Sequence, residues 1–304
     1  MTSRYLGIDV GGTNCKLAVV EAGAGRPDPP GDHPRGPPDP PRLLATATIP
    51  TGTGDPGEVV GRLVAAGARL VAGHGPVVAA GVGVPGLFDE GSGRIVLLPN
   101  LAAAWTGQAF REPLAAGLGV PVALINDARA FTLAESRMGA AAGCPTVVCL
   151  TLGTGVGGGV VVDGRLRFGP SGRAGELGHQ VIEVDGPRCG CGNRGCVEAF
   201  AAGPALCRGP RHPGGGVRRG RGRGGRGPPR RGDRQPAHRA VAGTGGGRGR
   251  GRGRRGPALR AAAGGRCRGR APGRPGLLRD RAGGPRPGAG AIGAALWARE
   301  RTGP

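Results

Sequence analysis

The chain has 304 residues and a formal net charge of +22, but residues 1–206 carry 16 Arg and Lys against 17 Asp and Glu, while 207–304 carry 26 Arg against three acidic residues. The basic character therefore belongs to the last third, and whole-chain charge implies no nucleic-acid or membrane partner for the first two-thirds. No apolar run reaches the ~20 residues of a bilayer span, and no charged leader with a cleavage site precedes the first apolar stretch, so a cytoplasmic chain without a membrane partner is expected.

Tyr5–Val10 reads as a buried strand, Gly11-Gly12-Thr13 as a tight turn and Leu17–Val20 as a second strand, together a hairpin. Glycines let backbone N–H groups approach a phosphate, Thr13 adds a hydroxyl, and Asp9 at the strand end can hold Mg²⁺ directly or through water. Lys16 is the sole lysine among 42 basic residues, which invites a phosphate contact; the plainer reading is a hairpin turn with a solvated lysine. Residues 26–41 are too proline-rich for helix or strand and suit an extended surface loop, or a polyproline ligand. Leu43–Ile49 alternates as a third strand, Glu58–Val71 fits a helix, and Val77–Val84 is a buried strand ending in Pro85-Gly86. Asn100, in Leu98-Pro99-Asn100-Leu101 with Trp105 close behind, can hydrogen-bond a polar ligand or simply occupy a turn.

A second lobe starts near residue 120. Val120–Ile125 is a strand that stops at Asn126-Asp127, and Ala128–Gly139 is a helix. Ligands of open α/β sheets gather beyond the carboxyl ends of strands, where Asp127 can take a proton from a substrate hydroxyl; the alternative is that it caps the helix. Thr146–Leu152, the turn Gly153-Thr154-Gly155 and the strand Gly158–Val162 repeat the strand–turn–strand order of the N-terminus. Two such turns on two α/β lobes, 1–119 and 120–206, can clamp a nucleotide from both sides.

His179, Cys189, Cys191 and Cys196 make a complete tetrahedral set for Zn²⁺. Glycines at 190, 192 and 195 let the backbone fold tightly enough for the sulfurs to meet, and a disulfide would leave one thiol over. Cysteines grouped for metal also suit a reducing compartment. Glu176 lies three residues before His179 and Glu198 two after Cys196, so zinc there holds two carboxylates and an imidazole in one place.

These residues together resemble the ROK family of bacterial sugar kinases, repressors and related reading frames, over about Tyr5–Leu206 with a short return near 288–298. The segments that carry the resemblance are Asp9-x-Gly-Gly-Thr-x-x-Lys16, Gly83-Val-Pro-Gly86 with Pro99-Asn-Leu and Trp105, Asn126-Asp127-Ala128, Leu152-Gly-Thr-Gly155, Gly175-Glu-Leu-Gly-His179 and Cys189-x-Cys-Gly-x-x-Gly-Cys-x-Glu198. The resemblance implies an actin-like, ribonuclease-H-like two-lobe fold, a homodimer, and ATP-dependent phosphorylation of a hexose, glucose foremost, at a primary hydroxyl to give the sugar 6-phosphate. It implies Asp127 as general base. Asn100, Asn126, Glu176, His179 and Glu198 would hold the sugar, with His179 giving its second ring nitrogen to zinc. Asp9, Gly11, Gly12, Thr13, Lys16, Thr154 and Gly155 would position the phosphates and Mg²⁺. The zinc motif does not choose among glucose, N-acetylglucosamine and N-acetylmannosamine.

After Leu206 the resemblance stops. Residues 207–287 contain no aromatic and five residues from Val, Ile, Leu and Met, too few to offset a chain entropy of roughly 1–2 kcal/mol per residue; a packed core is not expected there. The family places a strand running into a glycine turn against the adenosine, for which Val241-Ala-Gly-Thr-Gly-Gly-Gly is a poor candidate. Ala289–Ala298 again resembles the family's closing helix, within a terminal segment 288–304. A lost middle with a recovered end is what two compensating frame errors in a GC-rich gene leave. The alternative is an RGG-like segment that binds RNA through phosphate charge, although base-stacking aromatics are missing. A non-catalytic sugar sensor or transcriptional regulator of the same family is the remaining alternative; it calls for a helix-turn-helix ahead of the first strand, where only four residues stand.

Overall fold

The computed structural model describes residues 2–23, 41–52, 55–98, 103–208, 239–243 and 288–302. Asn100, almost all of the proline-rich stretch, and most of 207–287 lie outside the described residues.

Three strands open the chain: β1 (Thr2–Val10), β2 (Asn14–Gly23) and β3 (Arg42–Pro50), joined as an antiparallel meander. Helix α1 (Pro56–Ala72) follows, with the Asp55 carboxylate accepting the Gly57 N–H at 2.8 Å and proline at its first position. Its buried Val59, Leu63, Ala66 and Gly67 recur at helical spacing. Next come β4 (Ala79–Val84), the small hairpin β5 (Leu87–Phe88) and β6 (Ile95–Leu97), α2 (Arg111–Leu118), β7 (Val122–Asn126) and α3 (Asp127–Met138). The second half holds β8 (Val147–Leu152), β9 (Val156–Val162), β10 (Arg165–Arg167), α4 (Val197–Ala201), α5 (Gly203–Arg208), β11 (Arg239–Gly243) and α6 (Ala289–Thr302).

The first sheet runs β3-β2-β1-β4-β7, with β4 and β7 parallel to β1. Two sequence expectations change here. The strand at 122–126, grouped above with the second lobe, hydrogen-bonds to β4 in the first sheet; parallel pairing is a long-range choice that local sequence does not carry. The segment rated a poor strand, around Val241, pairs as β11 antiparallel to β8, with Val241 opposite Leu150. It thereby becomes an edge of the second sheet, β10-β9-β8-β11.

One face of the first sheet packs Leu6, Ile8 and Leu17 against Leu63 of α1, Leu114 of α2 and the Trp105–Phe110 pair. The other face packs Tyr5, Ala18 and Val20 against Leu133 of α3 and Ile292 and Leu296 of α6. Helix α6 is buried on nearly all sides. Small residues make that possible: a Cβ at Gly81 would lie 1.7 Å from the Ala294 carbonyl oxygen, and one at Gly293 would lie 1.6 Å from that of Ala130. The Trp297 indole N–H donates to the Leu124 carbonyl at 2.8 Å, tying α6 to β7. Among the described residues, no helix is long and apolar enough to cross a membrane.

Candidate functional site

Asp9, Gly83 and Ile125 lie side by side across β1, β4 and β7. Asp9 and Asp127 therefore meet at the carboxyl ends of parallel strands, where the open edge of such a sheet receives ligands. The Gly11–Thr13 turn is held from just beyond β3 by a residue the sequence did not flag. The Thr51 hydroxyl donates to the Gly11 carbonyl at 2.6 Å, and its N–H donates to the Thr13 carbonyl at 2.9 Å. Gly11 has no room for a side chain, since a Cβ would lie 2.4 Å from the Asn14 carbonyl oxygen. Lys16 pairs directly across from Asp9. The Asp9 carboxyl faces the first turn of α6, where a Cβ at Gly290 would lie 2.6 Å from its Cγ.

The choice between base and cap at residue 127 turns on its neighbour. Asn126 is the cap: its Oδ1 accepts the N–H groups of Ala128 and Arg129 at 3.1 and 3.3 Å, and its amide donates to the Gly86 carbonyl at 3.4 Å. Asp127 occupies the first helical position and accepts the Ala128 N–H at 2.8 Å. Burial pushes its carboxyl up to about 7; the charge of Asp9 pushes the same way, the Ala128 N–H opposes, and Glu176 adds to the rise. A carboxyl held near neutrality between other acids is poised to exchange a proton.

The second glycine turn reaches the same place. Gly157, at the start of β9, packs on Ala128, with a built Cβ only 2.7 Å from the alanine Cβ. The turn is closed by the Gly153 N–H donating to the Gly155 carbonyl at 2.9 Å, and Thr154 at its tip is exposed. Glu198 supports it from below: one carboxylate oxygen accepts the Val156 N–H at 2.9 Å, and the other lies 3.5 Å from the Cys189 sulfur. This residue, expected to hold a sugar, thus joins the thiol loop to the glycine turn. Glu176 is brought to the site by an ion pair with Arg129 at 3.1 Å, a partner that sequence reading passed over.

The ligand atoms of His179, Cys189, Cys191 and Cys196 all lie within 4.8 Å of one another. His179 Nδ1 is 3.6 Å from Cys189 Sγ, and Cys191 Sγ is 3.7 Å from Cys196 Sγ. A tetrahedral Zn²⁺ with bonds of about 2.3 Å to sulfur and 2.0–2.1 Å to nitrogen requires separations of about 3.8 and 3.5 Å, so the donor set fits that ion. Burial pushes the Cys189 thiol up, and a bound cation would supply the charge that lets the crowded thiols ionise. Gly178 seats this cluster on β9, its α-carbon pressed so close that a Cβ would lie 1.9 Å from the Val156 carbonyl oxygen.

A sequence model described as ROK family matches residues 43–218. The chain is 35% identical over 205 residues to a glucokinase of Streptomyces coelicolor, covering 67% of this chain and 57% of that enzyme. It is similar to the ROK hexokinase of Thermus thermophilus, at 37% identity and a TM-score of 0.56, over 68% of this chain and 62% of that one. It is also similar to a ROK family glucokinase of Streptomyces griseus solved with glucose and AMPPNP, at 35% identity and a TM-score of 0.53, over 67% and 59%. The chain thus spans about three-fifths of the length of the relatives it matches. With more than half of its residues inside the family match, which also takes in the His-Cys₃ cluster, the chain belongs to the ROK family.

Proposed function

We propose that the chain is an ATP-dependent hexose kinase that phosphorylates the primary hydroxyl of glucose and releases glucose 6-phosphate. The observation that carries this reading is Asp127, a half-buried carboxyl held at about 7 at a strand end, relieved of capping by Asn126 and flanked by two glycine turns. Its relatives named as glucokinases and its fit to zinc support it.

In this reading the sugar sits over the edge formed by Asp9 and Asp127, held by Asn100, Asn126, Glu176, His179 and Glu198. The Asp127 carboxylate takes the proton as the hydroxyl oxygen bonds to the γ-phosphorus and the bond to ADP breaks; the proton then leaves to solvent. The turns at Gly11-Gly12-Thr13 and Thr154-Gly155 hold the phosphates with backbone N–H groups and hydroxyls, and Lys16 adds a positive charge. Asp9 would be an oxygen donor at that edge for Mg²⁺, which would offset phosphate charge. His179, Cys189, Cys191 and Cys196 would hold zinc, which would fix the imidazole angle and leave Nε2 of His179 for a sugar hydroxyl.

The test is a coupled assay of ADP release with glucose, N-acetylglucosamine and N-acetylmannosamine. Turnover is expected with glucose and should fall at least ~10²-fold in Asp127→Ala. Absence of turnover with all three sugars rejects the reading. A calorimetric titration with glucose probes the acceptor site separately.

A further inference from the structure

Arg129 is the third residue of α3, two positions beyond Asp127. A cation in the first turn of a helix opposes the helix dipole, and a buried guanidinium is costly unless its donors are matched. Its side chain is nevertheless only 8% exposed, and its Nε and Nη2 donors are matched by one segment. Nε donates to the Ala174 carbonyl at 3.3 Å, and Nη2 donates to the same carbonyl at 3.2 Å, to Glu176 Oε1 at 3.1 Å and to the Gly172 carbonyl. The guanidinium lies over the Phe168 ring, 5.6 Å from its centre. Its backbone N–H bonds to Asn126, the cap beside Asp127.

The clamped segment contains Gly172 and Gly175, both at positive φ (67° and 98°). Glycine leaves such a loop with many accessible conformations, so its position must be imposed from outside. Glu176 itself is 42% exposed and free to swing without its partner. A planar fork that serves three oxygens at once is a task lysine cannot copy.

We propose that Arg129 is the positioning residue for Glu176: it clamps the 172–176 segment to the first turn of α3 and so sets the distance between the sugar-holding carboxylate and the base. This rests on the hexose-kinase reading for the role of Glu176, while the clamp itself does not.

Two measurements on the full-length chain separate the two. In calorimetry with glucose, Arg129→Met should weaken affinity about tenfold or more, the size expected for lost charged hydrogen bonds. Arg129→Lys should recover part of it. In a Glu176→Gln background the same Arg129→Met change should cost little further, because the two residues act as a unit. Zinc content should stay at the wild-type level, which excludes general unfolding. In limited trypsinolysis, cleavage after Arg173 should accelerate in Arg129→Met. Undiminished glucose affinity in Arg129→Met, an equal loss in the Glu176→Gln background, or unchanged cutting after Arg173 would each overturn the proposal. A wild-type chain that takes up no glucose but shows Arg129-dependent protection of Arg173 removes the hexose reading and leaves the clamp standing.

Discussion

At Asp127 stability and chemistry are in opposition. Its carboxyl is raised from 3.8 to about 7, chiefly by burial and the nearby Asp9, so the folded chain holds a proton that the unfolded chain has released. Stability from this group is greatest below the unfolded value, falls as pH rises, and is lost as pH passes through the folded value. Asn cannot lose a proton and keeps the oxygen that accepts the Ala128 N–H. Asp127→Asn should therefore gain on wild type between pH 4 and pH 8, by on the order of 2 kcal/mol at pH 8 after allowance for partial solvent access. Thermal melts across that range read the effect, and a difference in Tm that does not change with pH would remove the raised carboxyl from the account. The same variant should lose at least ~10² in turnover, and wild-type kcat/KM should climb with pH and level off above about 7. The sequence made His179 and the three cysteines visible because their spacing has few other uses, whereas Asp127 stood out only by its place at a strand end and by the family resemblance, since a helix cap explains the residue as well. Arg129 stayed hidden, since an arginine on a helix is ordinarily a solvated side chain and its matching carbonyls lie more than 40 residues away. Asn126 was visible as a polar residue, but its capping role depended on which of two adjacent residues begins the helix.

Among the elements, those with strong local signals were legible and those defined by contact were not. The β-branched runs of β1, β2, β4 and β9 and the apolar spacing of α1 gave their positions to within a few residues. Helix α6 has little local signal, because its Ala- and Gly-rich sequence is barely amphipathic; it is buried because small residues let its backbone touch two neighbours. β11 contains a single β-branched residue, and pairing with β8 supplies what its own sequence does not. Glycine substitutions can test this distinction. Gly81→Ala places a Cβ against backbone, 1.7 Å from the Ala294 oxygen, where no side-chain rotation relieves it. It should cost about 1–3 kcal/mol or more. Gly61 in α1 is exposed with nothing within 4 Å of a built Cβ, and Gly61→Ala should stabilise by about 0.5–1 kcal/mol through reduced unfolded-chain freedom. Urea midpoints of the two variants should move in opposite directions. If Gly81→Ala melts like wild type, α6 does not lie against β4 as described.

For the whole molecule, the question is how a chain can join a near-neutral, aromatic-bearing portion to a last helix through residues of contrary composition. Residues 207–287 carry 24 Arg against two Asp, and composition alone predicts rapid tryptic cleavage there. Apart from Arg26 and Arg35 in the proline-rich stretch, the arginines of 1–206 are spread among the described elements and turns and should be cut more slowly. The last productive site before α6 is Arg281, because the bond after Arg286 precedes proline and resists the enzyme. Cleavage should thus release the C-terminal helix covalently without releasing it physically. Ala289–Leu296 and Ala298 are buried between the first sheet and α3. The Trp297 indole is bonded to Leu124, and the Arg299 Nε donates to the Gly23 carbonyl at 2.8 Å. Leaving would expose that apolar surface and strand those polar groups. The nicked protein should therefore elute as one species on size exclusion, with the C-terminal fragment detected by mass spectrometry in the same peak and separated from it only in denaturant. A fragment lost under native conditions would show that α6 is not part of the core. Protection of the arginines between 208 and 281 would show instead that the basic stretch packs, against its composition.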